Sequence, residues 1–275
     1  MPYFEYKESQ LFYEVKGNND GDEVIAFFNG VMASTNSWIN QYPIFEKLGY
    51  KVLLHDFKGQ LKSDKPIGPY TFKDHAKEAK ALMDHLKIKK VHIIGTSYGG
   101  EVAMRFAIEY PEVTKSISII DSVSELDSVL EYFVSGWKTL AMERDVEKFY
   151  WGMLPTIYDS SFIENNIEIL KERVEKLKRV PGEYFVGQGY LYDTFINDVY
   201  MTDELSKIKC PALVVCGEND ILKPVKFSKI IADNISDSEY VIIPGCGHVT
   251  IFEKPDVLNS MLIGFILKNS NSTAL

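Results

Sequence analysis

Apolar residues along this chain gather into short runs, continuous at residues 24–28, 212–216 and 240–243 and carrying a few polar residues at 52–56, 91–94 and 116–120. A run without polar alternation predicts a strand covered on both faces, as in a parallel sheet flanked by helices. Between the first four runs the apolar spacing lengthens to three and four residues. That spacing predicts helices at 35–48, 71–86 and 99–110, and a further one at 255–267 closes the chain. Gly49 and Pro111 stand where the first and third of these helices must stop. Residues 3–16 alternate instead, in two arms around Glu8-Ser9-Gln10, which predicts a hairpin. Strands and helices taken in turn imply an α/β fold built on a mostly parallel twisted sheet wrapped by helices.

The alternation breaks between 122 and 205, where no apolar run suits a buried strand. Amphipathic helices take its place. The plainest carries Ile163, Ile167, Leu170, Val174 and Leu177 on one face, with Glu172 and Lys176 spaced to pair on another. The chain therefore divides into a sheet core, 1–121 and 206–275, and a helical insertion, 122–205, that caps the sheet's C-terminal edge. Ligands bind at that edge in open parallel sheets. The insertion is rich in aromatic residues, most of which are expected to pack it onto the core. Trp137, Trp151 and Tyr190 are the candidates for the wall of an apolar pocket. The charged side of 163–180 reads as a solvated face rather than a dimer surface, and either a monomer or a homodimer is expected.

Gly95-Thr96-Ser97-Tyr98-Gly99 lies between the strand at 91 and the helix near 99, with no residues left for a loop. A strand that becomes a helix over so short a distance must bend sharply at Ser97. The bend holds the serine in a strained conformation and points its hydroxyl outward. Gly-x-Ser-x-Gly alone is weak, since a tight turn with an ordinary serine has the same composition. Its place between strand and helix gives it weight.

A serine nucleophile needs a base, and the base an orienting acid. Of the five histidines, His55 and His92 lie in strands and read as satisfied core residues, whereas His75 and His85 lie on a helix and read as solvated. His248 differs, standing in the glycine-rich loop Pro244-Gly245-Cys246-Gly247-His248 at the same sheet edge as Ser97. Asp220 leaves that edge after the run at 212–216, between the other two. Asp121, also at a strand end, is the fallback acid, and Glu218 comes slightly too early. Two amides aimed at one point would bind an oxyanion. The candidates are that of Tyr98, at the helix start, and that of Val31, in the loop after the first buried strand.

Composition narrows the partners. A net charge of −9 lacks the clustered Lys and Arg that a nucleic acid or an anionic membrane requires. No apolar stretch approaches membrane-spanning length, and the first residues show no basic segment followed by an apolar run, so neither an anchor nor a signal peptide is expected. Cys210, Cys216 and Cys246 are an odd, sparse set that suits free thiols in a reducing cytoplasm. Cys246 reads as a small packed residue rather than a redox thiol. No His/Cys cluster has metal-ligand spacing, so no metal or other cofactor is expected.

The order Ser…Asp…His, with the serine on a Gly-x-Ser-x-Gly bend, resembles the α/β-hydrolase family. The resemblance runs through Asn29-Gly30, the stretch from Asp56 to Asp64, Ser97, Gly217-Glu218-Asn219-Asp220 and Gly247-His248, and so covers almost the whole chain. It implies the α/β-hydrolase fold with a helical cap, and a serine hydrolase that cleaves a small ester, thioester or lactone of an apolar or aromatic acyl group through an acyl-enzyme on Ser97. Carbon–carbon bond hydrolases, cofactor-free perhydrolases and non-turnover ligand-binding or regulatory members fall under the same resemblance. Serine rather than aspartate at the bend speaks against the haloalkane dehalogenase and epoxide hydrolase branches. Two departures bear on the loops. Asn29 stands where many relatives have His, and Lys58 and Leu61 stand where many have Arg and Gly.

Overall fold

The computed structural model describes residues 3–18 and 23–270. Its centre is an eight-stranded sheet: β1 (Tyr3–Tyr6), β2 (Ser9–Gly17), β3 (Val24–Phe28), β4 (Lys51–His55), β5 (Val91–Thr96), β6 (Thr114–Ile120), β7 (Ala212–Gly217) and β8 (Ser238–Ile243). The order across the sheet is β1-β2-β4-β3-β5-β6-β7-β8. The β1–β2 hairpin joins through an antiparallel β2–β4 pairing, and every later pairing is parallel. Register sets Phe28 opposite Gly95, Thr96 opposite Ile120, Ile120 opposite Val215 and Gly217 opposite Ile243. The C-terminal ends of β3, β5, β6, β7 and β8 therefore share one rim, and the loops that leave them open on one side.

Two cores explain the apolar runs of the central strands. Ala26, Phe28 and Ile93 face a layer that contains Phe106, while Ile25, Phe27 and Ile94 face the opposite layer with Leu262. Alternate residues of one strand point to opposite faces, and helices cover both, so neither set meets water. The helices before the insertion are α1 (Tyr42–Lys47), α2 (Phe72–His85) and α3 (Tyr98–Glu109). Thr71 starts α2 by accepting the Asp74 amide on Oγ1 at 3.0 Å, a cap of about 1 kcal/mol.

The helix expected at 35–48 is broken into a 3₁₀ turn, Thr35–Trp38, and α1. Pro43 is the reason: it has no N–H for the carbonyl of residue 39, and its ring would strike that carbonyl in a continuous helix.

Between β6 and β7 the chain leaves the sheet for α4 (Ser128–Glu143), α5 (Val146–Ile157), α6 (Ser160–Leu177) and α7 (Glu183–Asp198). Aspartates start three of them: Asp127, Asp145 and Asp159 accept from the amides of Leu130, Lys148 and Ser161. On α6, Leu170 and Val174 are buried and Ile167 is exposed. Its surface ion pairs are Lys171 with Glu168, and Lys178 with Glu147 and Glu175, rather than Lys176 with Glu172. Hydrogen bonds latch the insertion to the rim. Asp159 accepts from Asn219 Nδ2 at 2.7 Å, and the Ile157 carbonyl accepts from the His248 amide at 3.0 Å.

The chain returns through β7, α8 (Val225–Asn234), β8, the single-turn α9 (Thr250–Glu253) and α10 (Pro255–Asn269). Periodicity left α8 unassigned because only Phe227, Ser228 and Ile231 are buried along it, too short a stripe to stand out. The end of the polar tail, residues 271–275, lies outside the described residues, as do Met1 and Pro2. No helix among the described residues is long and apolar enough to cross a membrane.

Candidate active site

Ser97 joins β5 to α3 with φ 52° and ψ −121°, a conformation that L-residues rarely hold. Strain of this kind costs about 1–3 kcal/mol and persists only where the surroundings enforce it. Here they do. A Cβ on Gly95 would come within 2.3 Å of the Gly99 carbonyl oxygen, and one on Gly99 within 2.0 Å of the Phe28 oxygen, so strand and helix close on each other around the serine. The amides of Val31 and Tyr98 donate to no carbonyl among the described residues. Both residues border Ser97 in a small inner cavity of about 20 Å³.

The Val31 loop is pinned from below. Asn29 Oδ1 accepts from Trp38 Nε1 at 2.8 Å, and its Nδ2 donates to the His55 carbonyl at 2.8 Å and to Gln60 Oε1 at 3.0 Å. Gln60 Nε2 in turn donates to the Gly30 carbonyl at 2.8 Å. Asn29, in the place of the usual His, is thus a buried strut. Lys58, in the place of the usual Arg, pairs with Glu78 at 2.7 Å.

Ser97, His248 and Asp220, 151 and 28 residues apart along the chain, form one hydrogen-bonded line. His248 Nε2 lies 3.0 Å from Ser97 Oγ, and Nδ1 lies 2.7 Å from Asp220 Oδ2. Asp220 Oδ1 accepts the Lys223 amide at 2.8 Å, which fixes the carboxylate plane. Burial works against the imidazolium, but the charge and hydrogen bond of Asp220 outweigh it and raise the His248 pKa above its ordinary value.

The fallback acid, Asp121, turns away from the imidazole. Its carboxyl accepts from the Gly217 amide at 3.0 Å and from Thr250 Oγ1 at 2.8 Å. Burial, and then the charge of Asp220, push it well above the usual carboxylate range. Asp121, Cys216 and Asp220 come close enough together to be considered as metal ligands. Their chemistry does not fit: both carboxylates are taken up by these donors, and burial pushes the Cys216 thiol up, away from the thiolate a metal needs. Burial does the same to Cys246.

One pair escaped the sequence reading. Lys223 Nζ lies 2.8 Å from Glu101 Oε1 and 3.2 Å from Ser97 Oγ, with Lys223 4% and Glu101 0% exposed. Glu101 stands four residues after Ser97, one helical turn below it, which was a usable hint; no local signal links it to Lys223, 122 residues away. Lys223→Met alone should destabilise the protein by about 3–5 kcal/mol, because it strands a buried carboxylate. Denaturant unfolding measures this, and adding Glu101→Gln should restore most of the loss.

The other histidines divide differently from expectation. His92 is satisfied, by Ser116 Oγ at 2.7 Å and Glu23 at 3.2 Å. His55 is buried with neither ring nitrogen hydrogen-bonded, its pKa lowered to about 3 by burial, and it packs edge-on against Phe28 and Phe57. His75 is not solvated: it is buried, 2.9 Å from Tyr98 Oη. With Phe72, Ala76 and Ala79 it makes the three–four spacing of the inner face of α2, so the signal was present in the sequence. His85 is exposed as expected.

Ser97 opens on a cavity of about 280 Å³ between rim and insertion, walled by Val31, Trp137, Tyr150, Tyr158 and Arg173. Trp137 is where it was expected. Trp151 and Tyr190 are not on this wall. Tyr150 takes the inward position of α5 and Trp151, the next residue round the helix, stacks edge-on behind it. Tyr190 packs against Tyr70 and over Gly68 instead. Tyr158 and Arg173 come from α6 and the turn before it, where sequence spacing gave no inward direction.

The sequence matches the alpha/beta hydrolase fold family over residues 23–255. Among curated proteins, it is 24% identical over 282 aligned positions to a proline iminopeptidase of Lactobacillus helveticus, covering 95% of each chain. It is 26% identical to a 2-hydroxy-6-oxononadienedioate/2-hydroxy-6-oxononatrienedioate hydrolase of a Pseudomonas species, covering 92% of this chain and 91% of that one. Among solved structures, MGS-M2, an alpha/beta hydrolase enzyme from a Medee basin deep-sea metagenome library, superposes with a TM-score of 0.92 at 26% identity, over 99% of this chain and all of the other. With its eight-stranded sheet, its strained serine and a family match across most of its length, this protein belongs to the alpha/beta hydrolase family and is a hydrolase of that fold.

Proposed function

We propose that the protein hydrolyses a small ester, thioester or lactone through an acyl-enzyme on Ser97, as a carboxylesterase does. The unbroken line Asp220–His248–Ser97, opening on a cavity beside two unengaged amides, carries this reading. Ser97 Oγ attacks the carbonyl carbon as its proton passes to His248 Nε2. The bond to the leaving group breaks, and the leaving atom takes that proton. Water then gives a proton to His248 and adds to the acyl carbon; the bond to Oγ breaks and the proton returns to it. The Val31 and Tyr98 amides bind the oxyanion in both halves, each lowering the barrier by about 3 kcal/mol. Protein, substrate and water supply every proton and electron pair, so no cofactor is invoked. Three buried, unpaired cysteines support a reducing, cytoplasmic location.

Arg173 supports a substrate that carries a carboxylate away from the reacting carbonyl. Its guanidinium borders the cavity, packs 4.4 Å from the Phe252 ring centroid and donates to Tyr158 Oη, but makes no ion pair among the described residues. Tyr150 Oη, on the same wall, is buried beside Arg173 and Tyr158. The same cation favours a second reading, hydrolysis of the carbon–carbon bond of a dienone-type acid, in line with the likeness to the oxononadienedioate hydrolase.

p-Nitrophenyl esters of rising acyl length, each with and without a terminal carboxylate, separate these readings. The ester reading expects turnover that declines once the acyl chain outgrows the cavity, and a kcat/KM at least about tenfold higher for the carboxylate-bearing member of each pair. No turnover of any ester, with turnover of a dienone acid, would transfer the proposal to carbon–carbon cleavage.

A further inference from the structure

We propose that Lys223 is a fourth member of the catalytic machinery: its ammonium, held by Glu101, donates to the Ser97 oxygen and so commits the hydroxyl proton to His248. The inference rests on the reading of Ser97 as the nucleophile.

An ammonium has three N–H donors and no acceptor. One points at Glu101 Oε1, 2.8 Å away, and one at Ser97 Oγ, 3.2 Å away. The ring of Phe195 covers the remaining side, with Nζ 4.7 Å from its centroid. Both members of the ion pair are buried, so water does not compete for these positions. Glu101 Oε1 is itself anchored by the Val123 amide at 3.0 Å.

The consequence for Ser97 is a matter of proton counting. A hydroxyl has one proton, and Lys223 cannot receive it. Asp220 Oδ2 takes the Nδ1 proton and leaves Nε2 bare, so with Lys223 on one lone pair of Oγ the hydroxyl proton turns to Nε2. The lysine thus favours the reactive rotamer of the serine before a substrate arrives, on a histidine whose tautomer Asp220 sets. Its backbone amide meanwhile orients Asp220, so one residue touches both ends of the line. During acylation Oγ gains negative charge as its proton leaves, and the ammonium faces that charge. During deacylation the bond between the acyl carbon and Oγ breaks, and Oγ takes the proton from His248, with Lys223 exchanging no proton in either half. An ion pair serving stability alone would need no contact with Ser97.

The charges that face His248 are Asp220 and Asp121, which favour the imidazolium, and Lys223, which opposes it, with Glu101 behind Lys223. Lys223→Met/Glu101→Gln removes both members of the ion pair at nearly constant volume. We expect kcat to fall about 10- to 100-fold, KM to move by less than about threefold, and the acid limb of the pH–rate profile to move to higher pH. Glu101→Gln alone leaves the ammonium on Ser97 without its countercharge, and the acid limb should move to lower pH. Titration of His248 followed by ¹⁵N NMR in both variants gives the same two directions without any turnover. That separates the outcomes: a missing fluorophosphonate adduct on Ser97 would fail the hydrolase reading, while the NMR titration still decides this one. Titrations unmoved in both variants, or activity losses confined to KM or to thermal stability, would overturn it. Should the double variant not fold, Glu101→Gln decides alone, and a limb that stays put or rises counts against the proposal.

Discussion

Ser97→Ala is expected to lower kcat by about 10⁴- to 10⁶-fold on any substrate the wild type turns over. The remaining rate over water belongs to the cavity and the two amides, which alanine leaves in place. Stability should change by no more than about 1 kcal/mol. The hydroxyl makes two side-chain contacts, with His248 and Lys223, and alanine meets the same backbone strain at φ 52° as serine does. Steady-state kinetics, thermal unfolding and intact mass after fluorophosphonate treatment measure the three consequences. Wild-type turnover by the alanine variant would remove the acyl-enzyme mechanism altogether.

Asp220→Asn should cost about 10⁴-fold in kcat, and the structure says why. The Lys223 amide donates to Oδ1, 2.8 Å away, so an asparagine would turn its carbonyl there and its NH₂ toward His248 Nδ1. Nδ1 then becomes an acceptor, the imidazole proton moves to Nε2, and the base faces Ser97 with a proton already on it. The pH profile follows the same logic. Neutral His248 is the active form, and its pKa is raised, so the wild-type rate falls as pH drops through a value above 6.5. Without the Asp220 charge the imidazolium loses its main support, and the acid limb should shift to lower pH. A variant with wild-type kcat and an unmoved limb would show that Asp220 does not orient the base.

The parts that sequence reading located are those where chemistry is written locally. Ser97 is legible because a strand and a helix with no loop between them leave one possible bend, and the glycines on either side record the close approach. His248 and Asp220 are legible because each follows an apolar run within a few residues, and in a parallel sheet all such runs end at one rim. His75 shows the opposite failure: its place in the stripe with Phe72, Ala76 and Ala79 was visible, and the polarity of the residue outweighed the spacing. Helix 35–48 failed because Pro43 was passed over. Trp151 and Tyr190 failed for a deeper reason. A helix in the insertion has neighbours on several sides, and composition does not say which side is the cavity.

By itself, the sequence determined the parallel sheet, the strands along the chain, the bend at Ser97 and the edge from which an acid and a base project, because burial period and loop chemistry are properties of neighbouring residues. Only the tertiary structure decided what meets across that edge: Asp220 rather than Asp121 on the imidazole, Lys223 and Glu101 beneath Ser97, and Tyr150, Tyr158 and Arg173 facing the cavity. Those contacts join residues far apart in the chain. They depend on register, on strand order and on how four helices settle over the rim, and packing sets these for the whole molecule at once.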